Sequence, residues 1–392
     1  MLTKEEKSLI QVQALNSFAA AIASIFLQIY IFRLTGFVGV VFFNLSTYIF
    51  LLIFYTLSGF LLRKSSTNTL ILSGIFLNVF LYLFLIVLKQ NAINYLFPLG
   101  IINGIGSGLY WSGFNLSQYI HTHSSTRDDY FGKGSSFIYI GSSVGPLLGG
   151  LIVTSLNSLF HFPYIGYYAL FLIVVLINFS LFFIAYRLPA YKGVKFSVKQ
   201  LLIKKSKKWR FVLEQNVVLG LWDVAFFTLS SILLFQIIKS EAGVGLVRAS
   251  ILILAAIVSF FAGKFLSRFK KLYLLGAIGT TISIAIFAFS QNLMGVIILG
   301  FVYGIASPFL NISLSSAILN TIDENKESWQ KKYHMFLERD GILGFARVIS
   351  YFVLYFLFLF FDKTDVAKNW LIAISFLPLI LGFLLYKMKK VA

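Results

Sequence analysis

The sequence has 392 residues, of which 58% are hydrophobic and only 12% are charged. Soluble globular domains carry about 25% charged residues, so this composition excludes an ordinary soluble protein. The chain has no cysteine, which excludes disulfides, thiolate metal sites and cysteine nucleophiles.

Apolar runs that are long enough to cross a bilayer recur along nearly the whole chain. A helical crossing of the hydrocarbon layer takes about 20 residues. Because the runs are continuous and do not alternate as barrel strands do, we expect an all-α membrane protein. The twelve predicted segments cover residues 9–32, 37–62, 69–88, 93–119, 134–156, 163–186, 211–238, 243–266, 272–290, 293–319, 341–361 and 369–386.

Lysine and arginine residues flank these segments unevenly. Short loops rich in basic residues stay on the cytoplasmic side. Here the N-terminus, the C-terminal tail and the loops after the even-numbered segments carry most of them. We therefore predict a plasma membrane protein with both termini in the cytoplasm. The same distribution accounts for the net charge of +19 without a nucleic-acid partner, and anionic membrane lipid is the partner we expect for it.

The second half of the sequence repeats features of the first half. Gly59 at the end of segment 2 corresponds to Gly263 in segment 8, and Gly100 of segment 4 corresponds to Gly300 of segment 10, at spacings of about 200 residues. Agreement at two separate places indicates two related six-helix bundles. The predicted domains are an N-terminal bundle over 1–190, a basic linker over 191–210 and a C-terminal bundle over 211–392.

Glycines stand beside basic residues in the loops that follow segments 2 and 8. The first loop contains Gly59, Arg63 and Lys64. A glycine at such a place allows one helix to pivot closely against another. The second loop has Gly263, Arg268, Lys270 and Lys271.

Segment 5 carries the most specific local pattern, G-x6-G-x3-G-P-x2-G-G. Glycines at these intervals form a smooth face for close helix contact, and the proline allows the helix to bend. A general packing face is the alternative interpretation. The residues of this pattern are Gly134, Gly141, Gly145, Pro146, Gly149 and Gly150.

With two six-helix repeats, the glycine and basic-pair loops and this pattern, the chain resembles the major facilitator superfamily over its full length. The resemblance implies a rocking transporter with its site between the bundles near the middle of the membrane. Segment 5 is similar to the superfamily's antiporter motif, which is associated with exporters that exchange substrate for protons. The acid of the superfamily's loop signature and the arginine that drug exporters carry on segment 4 are absent, and the subgroup stays open.

The linker between the bundles contains many basic residues and no acid over 187–210. Apolar residues lie among its lysines, which predicts an amphipathic helix on the inner membrane surface. A regulatory docking site is the alternative.

Ionisable residues inside a membrane are functional candidates. Asp223 lies about 18 Å into segment 7, near the midplane. Burial favours a neutral carboxyl group and a nearby cation favours a carboxylate, so we predict that Asp223 couples transport to protons. A permanently paired structural carboxylate is the alternative. Arg347 is predicted to pair with Asp223, to bind an anionic substrate group, or to reach the inner surface. Arg248 is predicted to reach the outer headgroups.

In the resembling family, segments 4 and 10 line the transport cavity. Together with the face of segment 7 that carries Asp223, they provide aromatic, amide and hydroxyl side chains. Such walls around one carboxylate suit an amphiphilic or weakly cationic solute. The residues expected to bind substrate are Asn103, Ser107, Tyr110, Trp111, Asn216, Tyr303 and Asn311.

The resemblance also predicts a cytoplasmic gate, because in the family the loop after segment 2 meets the start of segment 11 and the loop after segment 8 meets the start of segment 5. Solvated loop charges without a gating role are the alternative. The expected pairs are Arg63 and Lys64 with Glu338 and Asp340, and Arg268 and Lys271 with Asp128 and Asp129.

An enzyme is disfavoured, because the four histidines lack metal-ligand spacing on a helix and no GxxxxGK[ST] phosphate loop occurs. We expect no cofactor and no metal. The sequence predicts a monomeric secondary transporter that exports a small amphiphilic or drug-like solute in exchange for protons. A flippase for lipids or lipid-linked solutes and an uptake permease for sugars or peptides are the alternatives.

Overall fold

The computed structural model describes residues 3–122, 127–202 and 206–391, and most of these residues are helical. Ten of the helical stretches in the described residues are long and apolar enough to cross a membrane. Short 3₁₀ helices cover Lys89–Tyr95 and Val198–Leu202, and a π-helical turn at Leu299–Tyr303 joins α9 to α10. The α-helices are α1 (Lys4–Leu61), α2 (Thr67–Leu88), α3 (Leu96–His121), α4 (Arg127–Phe160), α5 (Ile165–Tyr186), α6 (Lys207–Ile238), α7 (Glu241–Arg268), α8 (Leu272–Ser290), α9 (Leu293–Ile298), α10 (Gly304–Asp323), α11 (Trp329–Phe360), α12 (Lys363–Ile374) and α13 (Leu377–Lys390).

Helix α1 spans 58 residues and bends sharply at Gly36. Gly36 has φ 68° and ψ −162°, a conformation that is essentially restricted to glycine. Helical hydrogen bonding resumes directly after the bend, so the loop expected between segments 1 and 2 is reduced to this one residue. The bend folds the two parts of α1 back toward each other, so that the side-chain amides of Gln28 and Asn44 exchange hydrogen bonds of 3.1 and 2.8 Å.

Helices α1–α5 form the N-terminal half of the molecule and α6–α13 form the C-terminal half. Helix α1 begins and α13 ends at what we call the terminal end of the bundle. The Gly36 bend lies at the opposite end, where the hydroxyl of Tyr30 donates a hydrogen bond of 2.6 Å to the carbonyl of Lys89. The halves meet mainly where α4 packs along α7 and where α1 packs along α11.

Small residues allow the same close helix contact in each half. A Cβ atom on Gly74 of α2 would lie 2.5 Å from the carbonyl oxygen of Gly106 on α3. A Cβ on Gly276 of α8 would lie 2.8 Å from the carbonyl oxygen of Ala306 on α10. Only glycine permits either approach, and both pairs keep the spacing of the sequence repeat.

The described part of the linker begins as a strap without helical structure and continues as the 3₁₀ helix Val198–Leu202. Residues 189–197 form an extended strap, in which Gly193 has φ +83°. The amide of Thr67 donates to the carbonyl of Tyr191, and the amide of Lys195 donates to the carbonyl of Gln330. These backbone bonds replace helical ones, because the strap is held against the starts of α2 and α11.

Several helices extend beyond the apolar segments that predicted them. Helix α11 begins at Trp329 and not at residue 341, because its first turns are polar and continue past the apolar stretch. The predicted last segment is divided into α12 and α13 at Ser375–Phe376, and Pro378 lies in the first turn of α13. Hydropathy identifies only the part of a helix that matches lipid.

Candidate functional site

A cavity of about 620 Å³ lies between the two halves. Its walls come from α1, α3 and α4 of the N-terminal half and from α6, α7 and α10 of the C-terminal half. The predicted residues Trp111, Asp223, Tyr303 and Asn311 all line it. Tyr303 ends the π-helical turn, an irregularity that is common at functional sites.

Asp223 and Arg347 form an ion pair at this cavity. Nη2 of Arg347 donates to Oδ2 of Asp223, and Nε donates to Oδ1 at 3.3 Å. The backbone amide of Val224 donates to Oδ1 at 2.6 Å. The side chains are 17% and 19% exposed, so both members of the pair are mostly buried. Arg347 lies 18 residues after Trp329, about 27 Å along α11, which explains its central position.

Two stacked tyrosines lie beside this ion pair. The rings of Tyr48 and Tyr351 are stacked, with centroids 5.3 Å apart. The hydroxyl of Tyr351 lies 2.6 Å from that of Thr228 and donates to the carbonyl of Val224. Tyr48 belongs to α1, whereas the other three belong to α6 and α11. The aromatic stack therefore connects the charged pair to the N-terminal half.

Arg248 also lines the cavity, and the prediction that it reaches the outer headgroups is wrong. It is only 6% exposed, and its Nη2 donates to the hydroxyls of Ser230 at 2.7 Å and Ser231 at 2.9 Å. Counting residues along α7 gives depth but not the direction of the side chain, which here points toward α6. Leu252 and Ala255 lie four and seven residues after Arg248, on the same face of α7, and all three line the cavity. This helical spacing is the signal that sequence reasoning missed.

Four of the predicted cavity residues lie outside the central cavity. Asn103, Ser107 and Tyr110 line a smaller cavity of about 180 Å³ inside the N-terminal half, and Trp111 borders both cavities. Asn216 is buried and donates to the carbonyl of Val212 one turn earlier in α6. A shared sequence face therefore does not ensure a shared cavity.

The glycine pattern of α4 faces two different helices. Cβ atoms on Gly141, Gly145 and Gly149 would lie 3.0 Å or less from atoms of α1, and the nearest atom to one on Gly134 is 3.5 Å away, also on α1. A Cβ on Gly150 would lie 2.5 Å from the carbonyl oxygen of Glu241 on α7.

Helix α7 approaches α4 closely from the other side as well. A Cβ on Gly245 of α7 would lie 2.2 Å from the carbonyl oxygen of Pro146. The pattern therefore sets both the packing within the N-terminal half and the contact between the halves.

A buried carboxylate closes the terminal end of the cavity. Asp340 of α11 accepts hydrogen bonds from Nε and Nη2 of Arg339, at 2.8 and 2.6 Å. It also accepts one from the hydroxyl of Tyr55 on α1 and one of 3.2 Å from Asn115 on α3. These bonds connect the two halves, and sequence reasoning identified only Asp340 among the four residues.

A second connection at this end joins α4 to α10. The guanidinium of Arg127, which is 1% exposed, donates to Asp323. The hydroxyl of Tyr119 donates to the same carboxylate at 2.9 Å. Neither Arg127 nor Asp323 was singled out from the sequence, because both lie outside the apolar segments.

The remaining predicted gate residues have other contacts. Arg63 donates to the carbonyl of Phe196 in the strap, and Glu338 accepts from the indole of Trp209 at 2.8 Å. Within the described residues, Asp340 is held by Arg339 and not by Arg63 or Lys64, because the strap lies beside the loop after α1. Arg268 and Lys271 are exposed, and the side chains of their expected partners, Asp128 and Asp129, lie outside the described part.

The opposite end is closed by Glu241 at the start of α7. Its carboxylate lies 2.6 Å from the guanidinium of Arg33 on α1 and accepts from Tyr167 of α5 at 2.9 Å. The rings of Phe37 and Phe358 stack across the halves at 5.1 Å. The two halves are therefore connected at both ends of the bundle.

The profile of the Major Facilitator Superfamily matches residues 9–328 of this chain. The chain belongs to that superfamily. It is therefore a multi-pass membrane protein of a transporter family, and the central cavity lies between its halves, where a transporter of this superfamily is expected to bind its solute.

A curated relative is similar to this chain over most of its length. The chain is 24% identical over 356 residues to the uncharacterized protein YqgE of Bacillus subtilis (strain 168), covering 87% of this chain and 80% of the relative.

Two solved structures share the fold. The human organic anion transporter MFSD10 (TETRAN) superposes with a TM-score of 0.69 at 14% identity, covering 98% of this chain and all of that one. The fucose:proton symporter FucP of E. coli superposes with a TM-score of 0.67 at 15% identity, covering 99% of each chain.

Proposed function

We propose that this protein is a secondary active transporter that exports a small amphiphilic solute in exchange for protons. The observation that carries the proposal is the cavity between the halves, which is lined by Asp223, the acid that Arg347 holds in an ion pair. Protonation of Asp223 would remove the negative charge that holds Arg347, so one proton changes the charge and the contacts of the site.

Alternating access follows if the two ends open in turn. The Asp340 cluster and the Arg127–Asp323 pair hold the terminal end, whereas the Arg33–Glu241 pair holds the opposite end. Each set joins residues of different halves, so rocking of the halves breaks one set while it keeps the other. An exporter would load solute from the terminal end, which we take to be cytoplasmic.

The proposed topology has twelve crossings in two six-helix bundles, with both termini in the cytoplasm. The protein is proposed to act as a monomer in the plasma membrane. At about 1.5 Å per residue, α1 is about 87 Å long and passes through a 30 Å hydrocarbon layer twice, with Gly36 at the turn. The stretch Thr67–His121 also crosses twice, as α2 and α3. The matched Gly74 and Gly276 contacts support two related bundles, joined by the linker over 191–210.

The fold neighbours support a small organic solute and protons as partners. One neighbour is an organic anion transporter and another is a fucose:proton symporter. Lipid surrounds the apolar exterior, and the basic loops suit anionic headgroups on the inner surface.

The test uses purified protein in liposomes that contain a pH-sensitive dye. Two permanently charged probes, naphthalenesulfonate and naphthylmethyl-trimethylammonium, avoid the passive proton movement that weak acids and bases cause. We expect one of the two probes to drive proton flux through the unmodified protein. In Asp223→Asn we expect this flux to be abolished while the probe still binds. Asp365→Asn, which changes an exposed acid at the start of α12, is the matched control and should behave as the unmodified protein.

Full proton flux in Asp223→Asn would disprove the coupling role. Phospholipid flipping without any proton movement would instead support the flippase that the sequence left open.

A further inference from the structure

We propose that the central cavity binds a small amphiphilic organic anion and that Arg248 provides the positive charge that recognises it. The inference rests on the proposed function only in taking this cavity as the solute site. An anionic solute replaces the weakly cationic solute that the sequence suggested from Asp223, the carboxylate near the midplane.

Arg248 is a buried cation without an acidic partner. No carboxylate of the described residues lies within 4.0 Å of its guanidinium, and its two hydrogen bonds from Nη2 go to the neutral hydroxyls of Ser230 and Ser231. Its Nε is fully buried and has no acceptor within the described part of the chain. A buried charge that is neither paired nor fully hydrogen-bonded is costly. An anionic group in the cavity would satisfy it.

The acids nearest in the fold are already neutralised. Asp223 lines the same cavity, but Arg347 holds it in a bidentate pair. Glu241, two turns before Arg248 on α7, is paired with Arg33. The cavity therefore carries one uncompensated positive charge, which favours an anion and disfavours a cation.

The rest of the cavity suits an apolar body attached to that anionic group. Trp222, Phe227, Ile251 and Leu252 supply apolar wall, and the guanidinium carbon of Arg248 lies 5.9 Å from the centre of the Phe227 ring. The volume of about 620 Å³ falls in the range of sites for drug-sized ligands. A planar guanidinium suits the two oxygens of a carboxylate or sulfonate.

The test measures binding, by calorimetry, to the full chain in lipid nanodiscs, with empty nanodiscs as the blank. The three probes share one ring system and differ in charge: naphthalenesulfonate, naphthalenesulfonamide and naphthylmethyl-trimethylammonium. We expect the sulfonate to bind about tenfold or more tightly than the sulfonamide, and the cation to bind most weakly. Arg248→Gln should reduce sulfonate affinity to that of the sulfonamide, and Arg248→Lys should retain part of the preference.

Arg268→Gln is the matched control, because Arg268 is exposed at the terminal end and stacks on Phe269. Equal affinities for the three probes, or unchanged sulfonate binding in a folded Arg248→Gln, would overturn the inference. Competition by inorganic sulfate at the same concentration as the organic probe would also overturn it, because the apolar walls would then contribute nothing. The comparison of probes on the unmodified protein decides charge preference even if the glutamine variant fails to fold.

This experiment requires neither transport nor a pH gradient. Anion binding without proton flux would disprove the proposed coupling and leave this inference standing. Proton flux driven by the cationic probe alone would support the proposed coupling and disprove this inference.

Discussion

The guanidinium carbon of Arg347 lies 5.6 Å from the centre of the Tyr48 ring. The guanidinium group of Arg347 therefore contacts both Asp223 in the C-terminal half and Tyr48 in the N-terminal half. A change in the charge of Asp223 would alter a contact between the halves as well as the wall of the cavity. Under the proposed proton coupling, this arrangement would link protonation of Asp223 to movement of the halves.

The ion pair itself can be tested by a double-mutant cycle. Arg347→Gln leaves the partly buried Asp223 without its partner, which should lower the free energy of unfolding by about 1–3 kcal/mol. The double variant Asp223→Asn, Arg347→Gln removes both charges and should recover part of this loss. Unfolding in one detergent, followed by tryptophan fluorescence, measures both effects. A double variant no more stable than Arg347→Gln would show that the two charges do not compensate each other.

The two closures should respond oppositely to substitution. The chain has no cysteine, so Asn311→Cys places a single label site in the cavity. In that background Asp340→Asn should increase labelling by an impermeant maleimide from the terminal end, and Glu241→Gln should increase it from the opposite end. Each substitution weakens charge-assisted hydrogen bonds between the halves, so increases of about tenfold are expected. Increased labelling from the same side in both variants would contradict the alternation.

The glycine pattern of α4 offers a matched pair of substitutions. Gly150→Ala would place a Cβ 2.5 Å from the backbone oxygen of Glu241, which cannot rotate away, whereas at Gly134 the nearest atom is 3.5 Å away. We expect Gly150→Ala to lower the free energy of unfolding by about 1–3 kcal/mol and to abolish most transport. Gly134→Ala should leave transport and unfolding unchanged. A fully active Gly150→Ala would show that the contact between α4 and α7 tolerates separation.

Hydropathy predicted an all-helical membrane protein, because lipid requires continuous apolar stretches of about 20 residues, and ten helical stretches of the described residues are long and apolar enough to cross a membrane. It did not predict where helices end, since the polar first turns of α11 continue the helix beyond the lipid. This is why Arg347, which is only six residues into the predicted segment 11, lies near the middle of α11.

Side-chain direction was the harder problem. Membrane helices are apolar on every face, so the periodic pattern that reveals the buried side of a soluble helix is absent. Arg248 points into the cavity and Asn216 does not, although depth and spacing suggested the reverse. The contacts that connect the halves, such as Tyr55 with Asp340, join residues hundreds of positions apart and have no local signature.

The strap between the halves limits how far they can separate, because it is bonded to both and its length is fixed. It is attached to α2 through Tyr191 and to α11 through Lys195, four residues later. Four extended residues reach at most about 14 Å. The starts of α2 and α11 can therefore separate only that far before a backbone bond to Thr67 or Gln330 must break. The linker, and not the cavity, would then set how wide the mouth at the terminal end opens and how large a solute can enter.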